Sequence, residues 1–284
     1  MSRKTFYELL EATGISPAVE FSRIYRLFSQ DEVIFEYLGR NSTLQDYINK
    51  KHFKDFSFRG TYTEMSQIIN AILGNHQPNN IDFDTLFTYF EFLLAVFSDK
   101  HVSRDPKLSD SQEARAIIEN ITRVVKRTNH ELHNLGDDAN PKYTIIESNR
   151  LLSQAAELVS NQTVAFEMIE YNHYSMKGNL EGKRKTLNAI ANYVEPILKS
   201  HALQKSGYGQ LESDAGFLLN CFHIRHNNKQ GAKAQDYIVA IDDKQLESWY
   251  DKAYNALLSV IIIQEEISVS AELNDLKQKY NWKR

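Results

Sequence analysis

The chain has 284 residues, of which 42% are hydrophobic and 25% charged, and these proportions are ordinary for one large or two modest globular domains. A single cysteine, Cys221, excludes an internal disulfide and a cysteine-built zinc site, and it predicts a reducing, cytoplasmic location. The net charge of −4 excludes a general attraction to nucleic acid or anionic membranes, so any such binding needs a local basic patch.

Glycine and proline are scarce. The chain has 11 glycines and 5 prolines, and turns draw heavily on both residue types. Residues 1–11 are polar and amphipathic and lack the apolar stretch of a signal peptide. One of the longest apolar runs, residues 256–263, is too short to span a bilayer. We therefore expect a mainly α-helical protein with no membrane partner.

Apolar side chains spaced by three or four residues predict a series of helices in the N-terminal region, residues 1–105. These expected helices cover residues 3–12, 19–28, 31–38, 44–50, 64–73 and 83–97. Gly39 is expected to end the third helix, and Ser42 or Thr43 to cap the fourth. The last helix carries an aromatic stripe at helical spacing, which favours packing in a core.

The pattern changes after residue 105. Residues 98–110 are polar and contain Pro106, which predicts a boundary, and Ser111 followed by Glu113 predicts a capped helix to about residue 127. A cluster of Gly, Asp, Asn and Pro at 136–141 separates two short alternating runs and predicts one short β-hairpin. We expect this helix and hairpin to form a second region, residues 106–150.

The third region, residues 151–284, is expected to be a helical bundle. Its predicted helices cover residues 149–159, 163–174, 186–200, 212–224 and 244–266, and the last continues raggedly to Tyr280. Pro196 is expected to bend or break the third of them near its end. A basic turn at residues 177–185 is expected to precede that helix.

The densest group of chemically capable side chains follows an apolar helix face at residues 217–224. The group consists of Arg225, His226, Asn227 and Asn228. An arginine can hold a phosphate, a histidine can transfer a proton near neutral pH, and asparagines can orient either one. At a helix end such a group could act on an RNA phosphodiester. Alternatively, the arginine and histidine cap helix carbonyls and pair with a carboxylate such as Asp214 or Glu212.

Residues 212–228, with the long amphipathic helix after them, resemble the C-terminal part of a HEPN domain. HEPN domains are small helical bundles, often dimeric, and many are metal-independent ribonucleases of antiviral and toxin–antitoxin systems. Their motif is an arginine, a polar residue, and a histidine about four to six residues after the arginine. Arg225 and His226 match the arginine and the polar residue, whereas no histidine follows His226.

A wider pattern is similar to bacterial abortive-infection proteins with HEPN-like domains, over about residues 110–270. It consists of Tyr171, Asn172, His173 and Tyr174, the basic turn, and residues 217–228. The resemblance implies Arg225 and His226 as catalytic residues and no cofactor. It also implies a homodimer, because HEPN pockets commonly form across a two-fold interface. The predicted pocket or RNA-binding residues are His223, Asn227, Asn228, Lys177, Lys183 and Arg184. The basic residues among them could contact phosphates, or they could form a solvated surface.

The expected function is that of an anti-phage, abortive-infection-type protein acting as a sensor or partner-binding component, because one motif histidine is missing. Its partner would be RNA or another defence protein. One alternative is a metal-independent ribonuclease toxin, in which an arginine holds the scissile phosphate and a histidine acts on the 2′-hydroxyl. Another is a helical scaffold whose aromatic N-terminal half forms a protein interface.

Other histidines in the chain offer weaker patterns. His130 and His133 could pair with Asp137 or Asp138 around a metal, but side chains three apart on a strand point to opposite faces, so no metal is expected. Arg123 with His130, and Arg127 with His133, repeat an arginine–histidine spacing outside the predicted bundle and are interpreted as chance matches.

Overall fold

The predicted mainly α-helical architecture with a short β-hairpin is confirmed by a computed structural model, which describes residues 14–35, 41–137 and 141–282. The chain divides into two compact units, Met1–Glu147 and Ser148–Arg284. Each unit buries its own set of apolar side chains. Across the residues that are described, no helix is both long enough and apolar enough to cross a bilayer.

The first unit contains short and medium-length helices and two small antiparallel ladders. Its helices are α1 (Pro17–Ser29), α2 (Leu44–Lys51), α3 (Met65–Leu73), α4 (Phe83–Ser98), α5 (Lys100–Ser103), α6 (Pro106–Ser109) and α7 (Gln112–Arg127). Its strands pair as β1 (Ile34–Phe35) with β2 (Asn41–Ser42), and as β3 (His130–Asn134) with β4 (Tyr143–Glu147).

Helix α4 forms the centre of this unit. The Asp82 side chain accepts a hydrogen bond from the Thr85 amide at 2.8 Å and so caps its first turn. Its aromatic stripe packs in the core, as predicted: Phe87 is 1% exposed and Phe90 is fully buried. The α2 cap is Thr43, whose hydroxyl accepts from the Asp46 amide at 3.0 Å.

The hairpin predicted around residues 130–147 is confirmed. Strands β3 and β4 pair in a register that places Leu132 opposite Ile145. Glu91 on α4 accepts hydrogen bonds from the Thr144 hydroxyl and the Ile145 amide, both at 2.8 Å. These two bonds fix the buried face of the hairpin on α4.

The helix predicted for residues 31–38 is wrong where the structure describes that segment. Ile34–Phe35 instead pairs with Asn41–Ser42, and Ile34 is buried. A short apolar run of this kind has no periodicity that separates helix from strand, and its β-branched and aromatic residues suit a ladder. The helix predicted for residues 3–12, and Gly39 as a helix end, lie outside the described residues.

The second unit is a helical bundle built on one long C-terminal helix. Its helices are α8 (Arg150–Leu158), α9 (Gln162–Tyr171), α10 (Leu180–Lys199), α11 (Ala202–Lys205), α12 (Gly209–Cys221), α13 (Asp236–Ala240) and α14 (Asp243–Lys279). Asparagine side chains cap three of them, Asn149 at α8, Asn161 at α9 and Asn179 at α10. Helix α14 packs against α8, α10 and α12 through its first half, where Tyr250, Tyr254 and Leu257 are buried.

The predicted basic turn at 177–185 needs a correction, because α10 begins at Leu180 rather than at residue 186. The Asn179 side chain accepts a hydrogen bond from the Gly182 amide at 2.9 Å and starts the helix early. Gly182 suits this cap, because a Cβ there would lie 2.6 Å from the Asn179 side-chain nitrogen. Lys183 and Arg184 therefore lie on a helix. The same helix runs through Pro196 to Lys199.

Candidate functional site

The segment after α12, residues 222–235, is named here the Arg225 loop, and it is closed by two reciprocal hydrogen bonds. The His223 amide donates to the Asn228 side-chain oxygen at 2.8 Å, and the Asn228 amide donates to His223 Nδ1 at 3.2 Å. Asn228 is only 2% exposed, and His223 has a positive φ of 59°. The two side chains therefore hold a tight, strained turn rather than face a ligand.

Helix α10 contacts this loop through the side chain of Arg184. The Arg184 Nε donates to the His223 carbonyl at 2.6 Å, and the same guanidinium lies 3.7 Å from Glu181. Burial, together with the positive charges of Arg184 and Lys229, lowers the pKa of His223. Three of the residues predicted from the sequence thus meet in one network, His223, Asn228 and Arg184.

Arg225 is also engaged by α10. Its Nη2 donates to the Ala191 carbonyl at 3.0 Å and lies 3.3 Å from Glu195 Oε2, and its side chain is 17% exposed. The hydrogen bond from Lys199 and the charge of Arg225 lower the pKa of Glu195. The arginine thus caps a helix carbonyl and pairs with a carboxylate, but the partner is Glu195 rather than Asp214 or Glu212.

The other two predicted site residues in the loop differ in exposure. Asn227 is exposed, and its side-chain oxygen accepts hydrogen bonds from the amides of Lys229 and Gln230 at 3.2 and 3.1 Å. His226 is half-buried. Asn227 thereby shapes the turn that follows it, as asparagine commonly does in loops.

Lys183 belongs to a separate, buried network. It is 8% exposed, and its Nζ lies 2.7 Å from Asp251 and 2.9 Å from Glu247. The ammonium also lies 5.2 Å from the ring centre of Tyr171, whose hydroxyl donates to Asp251 at 2.9 Å. This lysine ties α10 to α14 inside the bundle.

One of these carboxylates, Glu247, also interacts with the start of the basic segment. Burial raises the pKa of Glu247, but the Gly178 amide, the Lys183 ammonium and the charge of Lys177 together lower it. Lys177 is exposed. The segment therefore does not present a continuous basic surface for a nucleic-acid backbone.

The first unit holds a second polar cluster, which the sequence did not indicate. The Asp105 side chain is 3% exposed. Its Oδ2 accepts hydrogen bonds from Tyr47 at 3.0 Å, Lys51 at 2.6 Å and His52 at 2.9 Å, and its Oδ1 accepts from the Lys107 amide at 3.1 Å. Burial raises the pKa of Asp105, but these four donors lower it to about 2.

A surface cavity of about 460 Å³ lies beside this carboxylate and is named here the Asp105 groove. Its lining residues are Lys51, His52, Lys100, His101, Arg104, Asp105 and Pro106. The available sequence signal was a pair of short Lys/His/Arg clusters, at residues 50–52 and 100–104. Nothing in the local pattern showed that segments about 50 residues apart would meet.

The two histidines of the hairpin each contact a group close in sequence. His133 contacts Glu131 at 3.2 Å, and His130 contacts the Thr128 carbonyl at 2.8 Å. Within the described ranges there is no group of three or more His, Cys, Asp or Glu side chains placed to hold a metal ion. Asp138, one of the carboxylates considered beside these histidines, lies outside those ranges.

No protein-family model, curated protein or solved structure matches this chain. The HEPN-like resemblance of about residues 110–270 therefore stays a prediction. The catalytic and binding roles of the predicted site residues also stay predictions. The side-chain contacts described above are the observations that favour one role over the other.

Proposed function

We propose that this chain is a HEPN-like anti-phage protein of the abortive-infection type, which acts as a sensor or partner-binding component rather than as a ribonuclease. The family assignment rests on the resemblance described above. The preference for binding over cleavage rests on one observation: the Arg225 guanidinium is occupied by the Ala191 carbonyl and by Glu195. A scissile phosphate would have to displace both partners.

The histidines support the same preference. General acid–base catalysis needs a side chain that titrates near neutral pH and faces the reacting proton. His223 has a lowered pKa, and its Nδ1 accepts from the Asn228 amide. His226 directly follows Arg225, so it does not occupy the later histidine position of the motif.

The contact surface for a partner protein is proposed at the aromatic residues beside the Arg225 loop. Phe217 and Tyr237 are 52% and 44% exposed, and both rings pack on the buried Phe222, with centroids 5.6 and 5.8 Å away. Exposed aromatic side chains on a rigid base are typical of the residues that dominate binding energy at protein interfaces. An apolar surface on a partner defence protein would suit this pair.

The proposed homodimer has a second basis, in the last turns of α14. Four exposed apolar residues, three in these turns and one directly after the helix, are spaced by four, three and four positions: Val269, Leu273, Leu276 and Tyr280. This spacing is that of the apolar positions in a coiled coil. In a parallel pair, Glu272 of one copy would face Lys277 of the other, and their charges attract. We therefore propose that a second copy of the chain covers this stripe.

The functional experiment combines phage challenge with an RNA assay. Bacteria expressing the wild-type protein are compared with cells expressing Phe217→Ser/Tyr237→Ser, and Phe166→Ser serves as the control, because Phe166 is 45% exposed in the same unit. We expect the double variant to lose protection and the control to keep it. If the purified wild-type protein cleaves cellular RNA and folded Arg225→Ala does not, the ribonuclease alternative is correct.

The dimer is tested by light scattering on the purified full chain. The variant Leu273→Glu/Leu276→Glu is expected to be monomeric, because it places charges on the apolar stripe. Asn274→Glu/Gln278→Glu adds the same charge to exposed positions outside the stripe and is expected to remain dimeric. A monomeric wild-type protein would show that the stripe does not pair.

A further inference from the structure

The Asp105 groove brings together cations from two separate segments. Lys51 and His52 lie at the end of α2, whereas Lys100, His101 and Arg104 lie in and just after α5. Asp105 joins the segments, because its carboxylate accepts hydrogen bonds from both Lys51 and His52. The convergence of the cations is therefore built into the fold and does not depend on mobile side chains alone.

The charges of the groove are not balanced. Among the described residues of its lining Asp105 is the only acidic one, and its carboxylate already accepts hydrogen bonds from Lys51, His52 and Tyr47. The side chains of Lys100, His101 and Arg104 are exposed and have no hydrogen bond or ion pair with another described residue. Three cationic or protonatable groups thus face one cavity without a counter-charge, on a chain whose net charge is −4.

We propose that the Asp105 groove binds a small anion with two or more phosphate groups, such as pyrophosphate, triphosphate or a nucleoside triphosphate. A cavity of about 460 Å³ has the volume of a small-molecule site. A guanidinium presents a fork of donors that matches phosphate oxygens, and lysine ammonium groups add point charges. This site lies outside the Arg225 loop, and the inference does not depend on the function proposed above.

The lining also indicates which part of such a ligand is recognised. Its only apolar residue is Pro106, and the Tyr47 ring is buried beneath Lys51 and Lys107. Among the described lining residues there is no Phe, Tyr or Trp side chain to offer a large stacking surface to a nucleobase, and the only aromatic rings are the imidazoles of His52 and His101. We therefore assign recognition to the phosphate chain, so inorganic triphosphate and ATP should bind with similar affinity.

The test is calorimetric titration of the full chain with sodium triphosphate, ATP and a short single-stranded RNA in parallel. Arg104→Gln/Lys100→Gln removes two open cations at exposed positions, which keeps the fold. Lys126→Gln is the matched control, because Lys126 is exposed in the same unit, outside the groove. We expect the double variant to bind triphosphate at least about tenfold more weakly and the control to bind like wild type.

Several outcomes overturn the inference. They are no binding of triphosphate or ATP at low salt, an equal loss in the control variant, or binding of the RNA alone. Equal binding of sodium acetate and triphosphate would show general anion attraction rather than a phosphate site. Similar affinities for triphosphate and ATP support recognition of the phosphate chain, and a clear preference for ATP contradicts that part of the inference.

Discussion

The Arg225 loop and the Asp105 groove are both dense in charged and polar side chains. They differ in that the groove has cationic side chains without a partner among the described residues. At the loop, Arg225 and Arg184 of α10 donate hydrogen bonds to backbone carbonyls of the same unit. In the groove, one buried carboxylate holds two segments together while Lys100 and Arg104 remain without partners among the described residues. The polar residues of the loop, which are adjacent in sequence, thus stabilise the local fold. The cations of the groove, which come from distant segments, are available to bind a ligand.

The difference follows from where the donors are needed. Backbone carbonyls in and beside the Arg225 loop require donors when they are buried. Arg184 donates to the His223 carbonyl of the loop, and Arg225 donates to the Ala191 carbonyl of α10. In the groove, Asp105 already accepts hydrogen bonds from four donors. The other cations nearby therefore do not pair with its carboxylate and remain solvated.

The largest expected effect comes from removing the central carboxylate. Asp105→Ala leaves the His52 and Tyr47 donors buried without their acceptor and releases Lys51, so the free energy of unfolding should fall by about 3 kcal/mol. Urea unfolding followed by circular dichroism measures it. Both tryptophans, Trp249 and Trp282, lie in the second unit, so a fluorescence transition that shifts as much as the dichroism would contradict a local effect.

A second large effect concerns Arg225. Arg225→Ala removes the donor to the Ala191 carbonyl, and a charge-assisted bond at a side chain only 17% exposed should contribute about 2 kcal/mol. Tryptophan fluorescence during urea unfolding reports on this unit. The control is Lys199→Ala, which removes the other cation near Glu195; Lys199 is 73% exposed, and no measurable loss is expected. An equal loss in both variants would argue that Arg225 is not a structural residue.

Acid should weaken the first unit through Asp105. Its folded pKa of about 2 is below its unfolded value, which is about 3.9, so its contribution to stability is complete above about pH 4. That contribution is lost as the pH falls through 2. The stability difference between wild type and Asp105→Asn should therefore shrink between pH 4 and pH 2. A difference that stays constant over this interval would show that the carboxylate titrates normally.

The smallest effect is expected from the open cations of the groove. Arg104→Gln/Lys100→Gln removes charges that have no partner among the described residues, so the free energy of unfolding should change by no more than about 0.5 kcal/mol. If like charges repel there, the variant is slightly more stable in low salt and equal to wild type in high salt. If the free energy of unfolding fell as much as in Arg225→Ala, these cations would stabilise the fold as Arg225 does. The difference drawn here between the Asp105 groove and the Arg225 loop would then be wrong.

Local patterns in the sequence determined most of the secondary structure. Apolar spacing of three or four residues located the main helices, and the Gly/Asp/Asn/Pro cluster at 136–141 located the hairpin. Such signals are local because a helix or a turn is built from neighbouring residues. The pattern at 31–38 was short, and the element predicted there was wrong. The start of α10 depends on one capping side chain, Asn179, and the boundary predicted there was also wrong.

Only the tertiary structure decided which polar side chains have partners. The sequence singled out Arg225 to Asn228 but could not show that Ala191 and Glu195 lie beside the guanidinium. It also gave no indication that Asp105 would meet Lys51 and His52, more than 50 residues earlier. A buried charge takes whichever partner the packing of helices brings within about 3 Å, and no local period encodes that choice.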